Sequence, residues 1–186
     1  MFEIRPPRTG DEIATEFARV ADEITAFFQA IDAETFLTAQ GEKWSPADHL
    51  RHLTKSIRPL AKGLGLPGPI IGLRFGWPRR ASRTFDELYE AYTTRLAQGV
   101  SAGRFAPSSP STPGEGDAGK TRILESWQGA QRAMRAVIPR WSERKLDRYQ
   151  VPHPALGKLT MREMLYFTIF HNAHHARLVA ARLKEG

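Results

Sequence analysis

Apolar residues recur at intervals of three and four along most of the chain. Ile13, Phe17, Val20, Ala21, Ile24, Phe27, Phe28 and Ile31 share one helical face, with Glu16, Arg19, Asp22 and Glu23 elsewhere. Thr9 followed three residues later by Glu12 is a capping-box start, so this stretch predicts an amphipathic helix over residues 10–38. A second helix is predicted from Ser45 as N-cap and Pro46 at the first helical position, with Leu50, Leu53, Ile57, Leu60 and Leu64 as its stripe. Pro59 cannot donate to the carbonyl of Lys55, so the helix is expected to kink or end there, and Gly63, Gly65, Pro67, Gly68 and Pro69 to close it. The third helix is predicted over residues 120–137, where Ile123, Trp127, Ala130, Met134, Val137 and Trp141 form a seam and Pro139 marks the end. The fourth follows Thr160, which with Glu163 makes a second capping box. Its expected inner stripe is Met161, Met164, Leu165, Thr168, His171, His175, Leu178 and Val179.

Between the second and third helices, residues 65–118 read mostly as connection. Pro, Gly and Ser cluster in GLPGPIIG and in FAPSSPSTPGEGDAG, the second of which is expected to be mobile, and only Phe85, Leu88, Tyr89, Tyr92 and Leu96 suggest a short helix. A crossover this long lets neighbouring helices run parallel and is often functional. Four long helices without a convincing strand predict an all-α fold, a four-helix bundle with a Pro/Gly-rich crossover between helices 2 and 3. With 186 residues, one domain over residues 1–186 is expected.

Composition narrows the function classes. An apolar fraction of 41% and a charged fraction of 25% exclude disorder along the whole chain. No run of about 18 apolar residues could span a bilayer, and MFEIRPPRTGDEI lacks an apolar leader core, so the expectation is a cytoplasmic protein without a membrane partner. The absence of cysteine removes disulfides, thiolate metal sites and cysteine nucleophiles. The net charge of +7 is uneven: residues 1–60 carry −3, residues 61–119 carry +2 and residues 120–186 carry +8. A basic final third invites an acidic partner, but Glu125, Glu143, Asp147 and Glu163 interrupt it, and a solvated helix face explains it equally. No helix-turn-helix, zinc-finger or aromatic-basic motif accompanies it, which argues against a nucleic-acid partner.

The candidate chemistry lies in the histidines. His171 and His175 are four apart in a predicted helix, so their rings leave one face a turn apart and can converge on a metal. Periodicity also permits His171 with His174, although His174 leans away from the stripe. A third ligand must come from another helix, where His49 and His52 are available, His49 lying nearer the apolar stripe. Three imidazoles suit Zn²⁺, Ni²⁺, Fe²⁺ or Cu²⁺ and leave positions open for water or substrate. His153 reads as structural and Trp44 as a core anchor.

Trp44-Ser45-Pro46 with His49-Leu50-Arg51-His52-Leu53, and later HPALGKLTMREMLYFTIFHNAHH, resemble the DinB-like superfamily of metal-binding four-helix bundles. The resemblance implies a metal held by His52, His171 and His175, and leaves His49 and His174 as pocket-lining residues. It implies metal-dependent hydrolysis, or transfer and isomerisation with a low-molecular-weight thiol, on a small-molecule substrate. Zinc or nickel is the expected metal, with iron or copper as alternatives. A homodimer packed through bundle faces is compatible with it, and so is a non-catalytic protein whose metal site is structural or vestigial. No general base stands out, since Glu163 lies two turns before His171.

Overall fold

The computed structural model describes residues 2–39, 41, 43–99, 103–107 and 114–184. Its elements are helices α1 (Gly10–Ala30), α2 (Ala33–Leu37), α3 (Pro46–Leu64), α4 (Gly68–Phe75), α5 (Phe85–Ala97), α6 (Gly116–Val137), α7 (Glu143–Arg148) and α8 (Met161–Arg182), with strands β1 (Gln150–His153) and β2 (Gly157–Thr160) before α8. The chain is therefore predominantly helical, as the periodicity implies. Helix α3 packs on α6, α1 packs on α8 and on α6, and α3 meets α8. Ile13, Phe17, Ile24, Leu50, Leu53 and Trp127 are all but inaccessible at the centre. Trp127 also donates its indole N–H to Thr25 at 2.9 Å, so its one polar atom is satisfied inside the core.

Four local features differ from the sequence reading. The first helix ends at Ala30 rather than running to residue 38, because Asp32 caps a new turn by accepting from the Thr35 N–H at 2.9 Å. Helix α3 continues through Pro59 to Leu64, neither ending nor breaking there. The loop expected before the last helix is an antiparallel hairpin, with Gln150 opposite Thr160 and His153 opposite Gly157. Its strands are four residues long and β1 does not alternate between buried and exposed positions, so no period-two signal was available.

The fourth difference is the crossover. Residues 65–118 contain α4, α5 and a 3₁₀ turn at Gly103–Phe105, and α6 begins at Gly116, four residues earlier than predicted. Pro69 sits in the first turn of α4, where a missing N–H costs nothing, so the segment read as a breaker is a helix start. Its glycines serve close packing: a Cβ on Gly68 would enter the Tyr149 ring, and one on Gly72 would lie 2.7 Å from the Trp77 ring. The expected mobile stretch falls partly on residues 108–113, outside the described residues.

Helix α8 is the axis of the molecule. Every residue from Met161 to Ala173 is buried, so the expected stripe is instead a continuous buried sleeve. Helices α1, α3, α5 and α7 and both strands pack around it. At its start Thr160 and Glu163 form the predicted capping box, with side chain and backbone reciprocally bonded.

Candidate metal centre

Helices α3 and α8 run antiparallel past each other, so that His49 meets His175 and His52 meets His171. The start of α3 is fixed by Ser45 and Asp48, each bonding the other's backbone N–H. That box holds the first two turns of α3, and with them His49 and His52, in register with the second half of α8. His52, His171 and His175 bring one ring nitrogen each within 4.8 Å of the others. His49 and His174 stand outside this group.

The protonation pattern suits a cation. Burial pushes His171 and His175 well below the ordinary imidazole range, and the charges they feel are those of neighbouring histidines. His52 is also lowered by burial, partly offset by its hydrogen bond to Phe105. All three rings are therefore neutral at pH 7, the form that ligates metals. His52 Nδ1 lies 2.9 Å from the Phe105 carbonyl oxygen, which can only accept, so the ring proton sits on Nδ1 and Nε2 presents a bare lone pair. That Nε2 stands 3.1 Å from His171 Nε2. Two nitrogens ligating one tetrahedral zinc ion are about 3.3 Å apart, so the spacing fits.

The other histidines have different work. His49 Nδ1 is 2.8 Å from His175 Nδ1, and its Nε2 accepts from Arg182 at 3.3 Å. Burial, followed by the Arg182 charge, lowers its pKa to about 3. His174 packs edge-on to Tyr92, with ring centres 5.9 Å apart. His153 accepts the N–H groups of Ala155 and Leu156 at its Nδ1 and so ties the hairpin turn, while its ring sits 4.2 Å from that of Phe167. Trp44 departs from the core-anchor expectation. It is half-buried and lies nearly parallel to the His175 ring at 6.2 Å.

The three histidines form one end of a cavity of about 790 Å³. Its walls come from α3, α8, the hairpin and the crossover, including Leu60, Phe75, Tyr92, Val151, Met164 and Phe167. Among the described lining residues none is Asp or Glu, and Lys62 is the one Lys or Arg. Sequence reasoning missed Phe105, Tyr92 and Phe167, whose backbone or rings seat the histidines. Phe105 is 53 residues from His52, and no local pattern links them. Glu163, set aside as a base, is fully buried beneath Arg80 and Arg83, at 2.6 and 2.9 Å. Burial alone would raise its pKa, but those guanidinium groups and two backbone N–H groups hold it at about 2.

The basic final third is partly consumed inside the molecule. Arg162 pairs with Glu143 and Asp147 at 2.6 and 2.7 Å, Arg135 pairs with Asp22 at 2.5 Å, and Lys120 donates to the carbonyls of Gln29 and Ile31. Among the described residues no helix is long and apolar enough to cross a membrane.

Comparison with known proteins agrees with the geometry at the level of family. Neither a curated protein nor a solved structure matches the chain. A family model described as the DinB superfamily does match it over residues 16–179, from the middle of α1 to the last turns of α8. With the match spanning all three clustered histidines and most of the chain, this protein belongs to the DinB superfamily.

Proposed function

We propose that this chain is a divalent-metal-dependent enzyme that activates a water or a low-molecular-weight thiol against a small-molecule substrate. In this reading α1, α3, α6 and α8 are the four-helix bundle and residues 65–118 its crossover. His52, His171 and His175 are the metal ligands. The observation that carries the reading is the juxtaposition of three neutral imidazoles, from two helices, at the end of a cavity large enough for a substrate. A structural site is usually closed by four protein ligands, whereas three leave a coordination position for chemistry. Zinc and nickel suit the all-imidazole set best, and iron and copper are compatible. Held by His52, His171 and His175, a divalent ion would supply Lewis acidity toward a water or thiol and toward the electrophile.

The chain's own groups orient and insulate. The Phe105 carbonyl holds the His52 tautomer, and His49 Nδ1 lies against Nδ1 of His175. Phe167 stacks on His171 at 4.8 Å and Trp44 on His175, which limits ring rotation and excludes water. Among the described lining residues there is no carboxylate to serve as a general base.

The test is turnover of activated aryl esters by protein loaded with Zn²⁺ or Ni²⁺, with and without added small thiols. Activity should vanish with chelator, return with metal and be absent in His175→Ala. A fully loaded protein that supports no turnover across ester, amide and thiol-acceptor panels would favour a structural metal site instead.

A further inference from the structure

The cavity has a direction. Lys62 follows His52 by ten residues on α3, and Met161 precedes His171 by ten on α8, and both line the cavity. At 1.5 Å per residue, each wall runs about 15 Å from the histidines to its far end. Because the helices are antiparallel, the two far ends coincide. Between them lie Ile57 and Leu60 on one side and Met164 and Phe167 on the other.

The middle of this channel offers little hydrogen bonding. Ser56 donates its hydroxyl to the His52 carbonyl at 2.9 Å, and Thr168 donates to the Met164 carbonyl at 2.8 Å. Both hydroxyl protons are thus spent on their own helices. Lys62 places one ammonium at the far end, and the other described residues of that rim are apolar. Leu66 lines the cavity and is 48% exposed. Short of Lys62, a strongly polar or polyanionic molecule would find few partners among the described residues of the channel's middle to replace its hydration.

We infer that the ligand is an elongated, largely aliphatic molecule with its single polar reacting group at the histidines and its chain laid between α3 and α8 toward Leu66. A reach of about 15 Å corresponds to an acyl or alkyl chain of about ten to twelve carbons. Placement of the reacting group rests on the proposed metal chemistry, whereas placement of the chain rests on the channel alone.

Alkyl hydroxamates separate the two, since the metal-binding head is constant while the chain varies. With zinc-loaded protein, octanohydroxamate should bind about 100-fold tighter than acetohydroxamate by titration calorimetry, a little over half of what six buried methylenes can supply. Dodecanohydroxamate should bind at least as tightly as octanohydroxamate. Met164→Trp should remove the gain with chain length while retaining acetohydroxamate affinity. Leu66→Glu, at an exposed position that tolerates substitution, should weaken only the dodecyl compound, about tenfold. In metal-free protein, octan-1-ol should bind about tenfold tighter than butan-1-ol, even if no hydroxamate binds and the metal reading fails. Affinity independent of chain length in both series would overturn the inference.

Discussion

The two ends of α8 solve the problem of burying polar side chains in opposite ways. Near its start, Glu163 is fully buried and answered by Arg80 and Arg83, while Arg162 is answered by Glu143 and Asp147. Two to three turns later, His171 is buried and His175 half-buried among other imidazoles, and the groups acting on them are His49, His52, His153 and His174. The first end is electrostatically closed, and its charges hold the hairpin and crossover against α8. At the second no carboxylate acts on His171 or His175, Asp48 reaching only their neighbour His49, and the three clustered rings could hold a cation. Burial and charge alone thus separate a structural network from a candidate site on one helix.

The largest contrast should appear on adding metal. Zinc at a thousand times its dissociation constant should stabilise the protein by about 4 kcal/mol, read as a shift in urea midpoint. His171→Ala should abolish that shift, whereas Glu163→Ala should lower the starting stability and leave the shift intact. Glu163→Ala itself should cost about 2–3 kcal/mol, below the usual loss for a wholly buried pair because Arg80 is 45% exposed and recovers hydration. Thr160→Ala, removing the cap beside Glu163, should cost about 1 kcal/mol by the same measurement.

The gentlest probe is pH. The folded-state pKa of His153 is lowered by burial to about 4 from 6.5, so the unfolded chain takes up its proton first. Its contribution to stability is present above pH 6.5 and is lost as pH falls toward 4. Glu163, held at about 2, contributes above its ordinary value of 4.5 and loses that contribution as pH falls toward 2. The metal-free protein should therefore weaken in two windows, the upper set by histidines and the lower by the paired carboxylates. His153→Asn keeps an acceptor for the hairpin turn and should flatten part of the upper window alone, as urea midpoints across pH would show.

How much of this was legible depends on whether the signal is local. Thr9 with Glu12 and Thr160 with Glu163 are visible at a spacing of three residues, and both form capping boxes. The Ser45–Asp48 box was half visible, because Ser45 was read as a cap while Asp48 takes the place usually held by Glu or Gln. The spacing of His171 and His175 implied a shared face, and the two rings do lie together, centres 4.7 Å apart. By spacing alone His49 looked the better partner, and only the resemblance pointed to His52. The crossing of α3 and α8 brings His52 to the pair while His49 meets Nδ1 of His175. What stayed hidden was non-local: Phe105 against His52, Arg80 against Glu163, and the hairpin that walls the cavity. Gly68 and Gly72 misled for a related reason, since glycine looks the same whether it breaks a helix or lets a ring approach one.

The central claim is that His52, His171 and His175 form one metal site while the neighbouring histidines do not ligate. Elemental analysis of untagged protein reconstituted with Zn²⁺ or Ni²⁺, run beside His52→Ala, His175→Ala and His174→Ala, tests it most directly. The account predicts about one ion per chain in the wild type and in His174→Ala, and essentially none in the other two variants. No metal in the wild type after reconstitution, or equal loss in all three variants, would contradict it.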